Sequence, residues 1–169
     1  TYVTDVDLRL SELAVSMFSP VLGEDHVITE EHQGVLPALS QTPSVVAEET
    51  FIIIDPIDGT RNFVFGIPLY GVSVGVLKQG KPWLGGTAFP ALHETFVFDG
   101  MRLEHFKGST PVRFGSGVLV SSHTRQMDNQ SLICSSENLA KHYSWDYGIS
   151  DLRITGCTVM DVCWPLINR

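Results

Sequence analysis

The sequence predicts an α/β chain of the α+β type, with helices and sheets in alternating layers. Three observations predict it. An amphipathic helix stands near the amino terminus, a series of short strands fills the middle of the chain, and strand and helix patterns follow. The 169 residues suit one domain or one and a fraction, and 43% are hydrophobic, enough for a core.

Residues 7–19, DLRLSELAVSMFS, place Leu10, Leu13, Ala14, Met17 and Phe18 at i, i+3, i+4, i+7 and i+8, the stripe of an amphipathic helix. Thr4 or Asp5 caps it and Pro20 marks its end. Gly23-Glu24-Asp25 is a turn, and His26 to Thr29 is a short strand that delivers Glu30 and Glu31. Residues 33–50 are polar and contain proline, so a mobile loop is expected. Ile52 to Ile54 form a short buried strand. Tyr70 to Leu77, Trp83 to Phe89 and Glu94 to Phe98 add three more, with a turn at Gln79 to Pro82; together they predict an antiparallel sheet. Residues 99–115 read as irregular and hold the boundary between an N-terminal half, 1–115, and a C-terminal half, 116–169. Beyond it Val118 to Val120 is a strand, 124–142 an interrupted helix, and 155–163 a helix whose end Pro165 disturbs.

A net charge of −8 argues against a nucleic-acid polymer as partner, although a metal ion can supply positive charge locally for a phosphorylated one. Cys134, Cys157 and Cys163 have no CxxC spacing, so neither a disulfide framework nor a zinc site is expected, and a cytoplasmic location fits. The apolar runs are too short to span a membrane, and the first residues lack a signal-peptide pattern. The six histidines show no i, i+4 metal spacing; His32 lies nearest an acid of interest, Glu30.

Residues 51–63, FIIIDPIDGTRNF, run an apolar strand straight into acids. Pro56 breaks the strand and turns Asp55 and Asp58 towards one point. Two carboxylates that close need a cation or a shared proton, and an oxygen-rich cluster suits Mg²⁺. Gly59 and Thr60 then offer backbone N–H groups to a phosphate. Phosphatases of the haloacid dehalogenase type also end a strand on a DxDGT-like motif, but with the acids two apart. That spacing would put Pro56 where the nucleophile must stand, which excludes them.

DPIDGTRNF, residues 55–63, satisfies every position of the D-P-[IL]-D-G-T-x-N-F motif and so resembles the inositol monophosphatase family of Mg²⁺-dependent, lithium-sensitive phosphatases. Val3 to Asp7 resembles the family's VT-x-x-D. Val27 to Glu31 resembles its I-G-E-E with Thr29 in place of Gly, and Arg153 to Thr158 its R-x-x-G-[ST]-A loop. The resemblance implies that Glu30, Asp55, Asp58 and the Ile57 carbonyl bind two or three Mg²⁺ ions, with Asp7 supporting them from behind. It implies that Glu30 and Thr60 activate the attacking water. Asp58, Gly59, Thr60, Gly156, Cys157 and Thr158 would then contact substrate, and the active site would lie between the two halves of a homodimer's subunit. A small phosphorylated polyol or sugar is the expected substrate, inositol monophosphate the first candidate. The alternatives are 3′-phosphoadenosine phosphate, fructose 1,6-bisphosphate, histidinol phosphate, or a non-catalytic regulatory homologue.

The family's last metal ligand, in W-D-x-A-[AG]-G, should follow Gly156 and does not appear; Trp145-Asp146 precedes Arg153 and lacks the small residues. A partial chain is therefore expected. Cys157 is as well explained by packing as by contact with substrate, since no base accompanies it.

Overall fold

The computed structural model describes residues 3–31, 49–112, 132–134 and 151–167. In chain order these form α1 (Asp5–Leu22), β1 (Val27–Thr29), β2 (Thr50–Asp58), α2 (Thr60–Val64), β3 (Gly71–Lys78), β4 (Lys81–Phe89), β5 (Glu94–Phe98), β6 (Leu103–Lys107), β7 (Thr110–Val112), β8 (Leu132–Cys134), β9 (Asp151–Arg153) and α3 (Thr158–Ile167). The mobile loop expected at 33–50 falls outside the described residues except at its end, where Thr50 opens β2. His32, the strand expected at 118–120 and Trp145-Asp146 also fall outside them.

Strands β1 to β7 make one mixed sheet in sequence order; β1 and β2 are parallel and each later pair is antiparallel. β8 and β9 pair in parallel as a second, two-stranded sheet. Gln79 and Gly80, both at positive φ, close the β3–β4 hairpin, the backbone that the twist of paired strands selects. One face of the large sheet packs on α1, where Ala14, Phe18 and Leu22 meet Val27, Ile52 and Ile54. The other face packs on α3, where Cys157, Met160 and Cys163 meet Phe89 and Phe96. Helix, sheet and helix are thus layered, the α/β arrangement expected. No helix among the described residues is long and apolar enough to cross a membrane.

Several local expectations are corrected. Helix α1 does not stop at Pro20 but runs to Leu22. Proline costs only one bond this close to the end, and the Gly23 N–H closes the last turn on the Ser19 carbonyl at 2.8 Å. Its inward line is Asp7, Ser11, Ala14 and Phe18, while Leu13 and Met17 are 52% and 60% exposed. Residues 99–115 are not irregular throughout: Leu103–Lys107 alternates between the two faces and joins the sheet, and Thr110–Val112 ends it as an edge strand that tolerates Pro111. Leu132–Cys134, expected within a helix, is a strand, and α3 continues through Pro165 to Ile167.

Thr4 caps α1 through a capping box: its hydroxyl accepts from the Asp7 N–H at 3.3 Å, and Asp7 Oδ2 accepts from the Thr4 N–H at 2.8 Å. Thr4→Ala should therefore lower stability by about 1 kcal/mol in urea unfolding. An unchanged midpoint would mean that the box holds Asp7 without stabilising the helix.

Candidate active site

β2 does not break at Pro56. Its register against β3 passes from Asp55↔Ser73 to Asp58↔Gly71, so three steps along β2 answer two along β3. The extra residue is a bulge, which needs no N–H from Pro56 and re-aims the chain that follows. Pro56 and Ile57 are buried beneath it. The Ile57 N–H donates to Asp55 Oδ1 at 3.1 Å, and the Thr60 hydroxyl donates to the Ile57 carbonyl at 2.8 Å. Gly59 between them is left-handed, with φ 86° and ψ 35°.

Glu30 follows β1, and its N–H extends the parallel ladder to the Ile54 carbonyl at 3.1 Å. This sets its side chain beside Asp55. Burial first, then the charges of Glu30 and Asp58 and a hydrogen bond with Glu30, push the Asp55 carboxyl from its usual 3.8 up to about 7; the Ile57 N–H works the other way. Glu31 is also raised, by burial and then by Glu30 and Asp7. Asp7, 1% exposed, keeps Oδ1 buried without a hydrogen-bond partner among the described residues.

Asp58 sits differently from the pair upstream of it. Its Oδ2 accepts the Val159 N–H of α3 at 2.5 Å and the Cys157 thiol at 3.6 Å. Cys157 is fully buried in the α3 core, and burial, then the charge of Asp58, pushes its thiol up to about 12. Its side chain therefore packs, and contact with a ligand is left to its backbone. Gly156 and Thr158 are exposed beside it. The sheet face opposite α1 holds a cleft of about 580 Å³ that reaches from Glu30 and Asp55 past Ser73 and Thr87 to Cys163.

Among the described residues, no three carboxylate, histidine or cysteine side chains close on one point. Glu30 and Asp55 do converge, while Asp58 is turned to α3. The convergent donors are carboxylate oxygens, and burial, then the charge of Glu30, raises the Asp55 carboxyl to about 7. That is the donor chemistry a hard divalent cation satisfies, so the Glu30–Asp55 pair fits Mg²⁺.

Two further polar residues at this site went without a role in the sequence reading. Asn62 Nδ2 donates to the Leu69 carbonyl at 2.6 Å and to the Thr155 carbonyl at 2.9 Å. Asp161, 6% exposed, accepts the Thr155 N–H at 3.3 Å. The spacing Thr158-x-x-Asp161, that of a capping box at a helix start, was the available signal for Asp161. Asn62 lay inside DPIDGTRNF, but its partner is 93 residues away.

The profile of the inositol monophosphatase family matches residues 1–166. Histidinol-phosphatase of Chlorobaculum parvum is 32% identical over 154 residues, 91% of this chain and 53% of its own length. Nus factor SuhB of Vibrio cholerae is 28% identical over 173 residues, 99% of this chain and 60% of its own length. This chain thus spans little more than half the length of these curated relatives. Among solved structures, Mycobacterium tuberculosis SuhB superposes with a TM-score of 0.69 at 21% identity, over 95% of this chain and 61% of its own. Thermotoga maritima IMPase does so with a TM-score of 0.63 at 20% identity, over 96% of this chain and 57% of its own. At that identity the structures establish the shared fold. The chain belongs to the inositol monophosphatase family.

Proposed function

We propose that the intact protein hydrolyses a small phosphate monoester with Mg²⁺, inositol monophosphate being the first candidate. The observation that carries this is the Asp55 carboxyl set beside Glu30 in β2, one bulge away from left-handed Gly59 and from Thr60. Glu30, Asp55 and the Ile57 carbonyl would hold the ion, with Asp7 behind them and Asp58 able to join by releasing Val159. When bound, Mg²⁺ neutralises charge on the phosphoryl oxygens and makes water a stronger acid.

The chain's own groups supply the rest. The N–H groups of Gly59 and Thr60 bind phosphoryl oxygens. The Thr60 hydroxyl donates its hydrogen bond to the Ile57 carbonyl, which leaves the Oγ1 lone pairs to accept one from the attacking water. The Glu30 carboxylate takes that water's proton as the new P–O bond forms and the ester P–O bond breaks, and the departing alkoxide takes a proton from solvent water. The backbone at Gly156 to Thr158 faces the leaving group. In this reading the site lies between an N-terminal half, 1–115, and a C-terminal half from residue 116, in a cytoplasmic homodimer.

Histidinol phosphate is the second candidate, favoured by the name of the Chlorobaculum relative. A panel of inositol 1-phosphate, histidinol phosphate, fructose 1,6-bisphosphate and 3′-phosphoadenosine phosphate ranks the substrates by kcat/KM. Phosphate release should require Mg²⁺ and stop in EDTA. Release that survives EDTA sinks the mechanism. No release from any of the four, with no joint binding of Mg²⁺ and phosphate by calorimetry, supports a non-catalytic homologue instead.

A further inference from the structure

We propose that Asn62 is a positioning residue. By holding the Leu69 and Thr155 carbonyls at once, its amide fixes the 155–158 loop over the Asp58–Thr60 turn. It thereby sets the distance between the contacts on the leaving group and those on the phosphate. The inference deepens the phosphatase reading above and rests on it.

Asp58 Oδ2 joins the two segments at Val159 and Cys157, and the Asn62 amide joins them at Thr155, the loop's other end. Asn62 lies on α2, one turn past Gly59, and spends both amide hydrogens on main-chain acceptors, at 2.6 and 2.9 Å. The Thr155 peptide is gripped on its other side as well, where its N–H meets Asp161. The Thr155 hydroxyl then turns back on Cys157, donating to its carbonyl at 2.9 Å and accepting its N–H at 3.1 Å. The loop is thus held within itself, and Asn62 ties its Thr155 end to α2.

The fit around that tie is close. A Cβ on Gly156 would stand 3.2 Å from Asn62 Nδ2, and one on Gly59 would stand 3.0 Å from Cys157 Cβ. Both segments therefore present glycine where they meet. A carbonyl on each side loses its partner if the amide goes, so the gap opens rather than refilling. The phosphate contacts do not depend on the tie. Gly59 and Thr60 are placed by the β2 bulge and the Thr60–Ile57 bond, neither of which involves Asn62.

The test is steady-state phosphate release from inositol 1-phosphate by the intact wild-type protein, Asn62→Ala and Asn62→Ser. Inhibition by inorganic phosphate and melting temperature are measured alongside. Misplacing the loop should lower kcat/KM on the order of tenfold to a hundredfold, mostly in kcat. The inhibition constant of phosphate should stay within about threefold of wild type. Serine keeps one donor and should lie between alanine and wild type; it also serves if the alanine variant does not fold. Wild-type kinetics in a variant overturn the inference, as does a parallel loss of kcat/KM and phosphate affinity, which would mark Asn62 as merely structural. A wild-type protein that releases no phosphate from any monoester overturns the phosphatase reading and this inference with it.

Discussion

Asp55→Asn should raise the melting temperature of the metal-free protein at pH 8 and abolish Mg²⁺-dependent phosphate release. In the unfolded chain this carboxyl ionises near 3.8, and in the folded chain near 7, with burial the first cause and the charge of Glu30 the second. Between those values the folded state holds a proton that the unfolded state has lost. The contribution of the group to stability is therefore greatest below pH about 4, falls as pH rises towards 7, and stays low above it. Because the carboxyl is only half-buried, solvent screens part of the effect, and about 1–2 kcal/mol at pH 8 is the discounted size. Asparagine stays neutral, so the variant should lose the downward slope that the wild type shows between about pH 4 and 7 on the way to pH 8. Mg²⁺ should flatten the same slope in the wild type by binding the ionised pair. Thermal melts across that range in EDTA, repeated with Mg²⁺, read both. A variant that melts lower than wild type at pH 8 would show that Asp55 stabilises the fold and would count against the pair as a cation site.

The same tension explains which parts of the protein its sequence disclosed. DPIDGTRNF was legible because its chemistry is local: acids, proline and glycine in one short run admit few other uses. The residues alone paired Asp55 with Asp58, and Glu30 entered only through the resemblance; the parallel pairing of β1 with β2 is what sets Glu30 beside Asp55. What the run could not disclose was the bulge. Pro56 looked like a strand breaker, and only the register against Ser73 and Gly71 shows the strand passing through it. Nor could it disclose that Asp58 leans on the Val159 N–H, a contact across 101 residues.

Helix α1 failed in a different way. Its apolar residues lie nearly all round, with Val6, Leu8, Leu13, Met17 and Val21 exposed, so the stripe that periodicity chose was inward only at Ala14 and Phe18. The choice is made by Asp7, which must cap the helix and lie behind Glu31, and that turns Ser11 and Ala14 inward with it. β6 was missed for want of weight: Leu103-Glu104-His105-Phe106-Lys107 alternates, but with two charges and a histidine it resembled a loop. His105 is nevertheless buried, stacked on Phe96 with ring centres 4.4 Å apart.

Gly59→Ala should prove more damaging than its one added methyl suggests, and a second glycine supplies the measure. Gly59 and Gly66 both have left-handed φ, 86° and 70°. Around Gly66 a Cβ meets nothing within 4 Å, whereas at Gly59 it would come within 2.9 Å of the Leu69 carbonyl oxygen and 3.0 Å of Cys157 Cβ. Gly66→Ala therefore carries only the conformational cost, about 1 kcal/mol. Gly59→Ala adds overpacking against backbone that Asn62 holds in place, for a total of about 2–4 kcal/mol. Relief can come only by pushing the turn away from Leu69 and from the Cys157 loop. That moves the Gly59 and Thr60 N–H groups off the phosphate and the Thr60 hydroxyl off the Ile57 carbonyl. Phosphate release should then fall by roughly a hundredfold or more, while Gly66→Ala keeps wild-type kinetics. Urea midpoints and kcat/KM of the two variants, measured together, decide the matter. If both lose the same stability, the close approach at Gly59 carries no load, and the glycine of the motif is there for its φ alone.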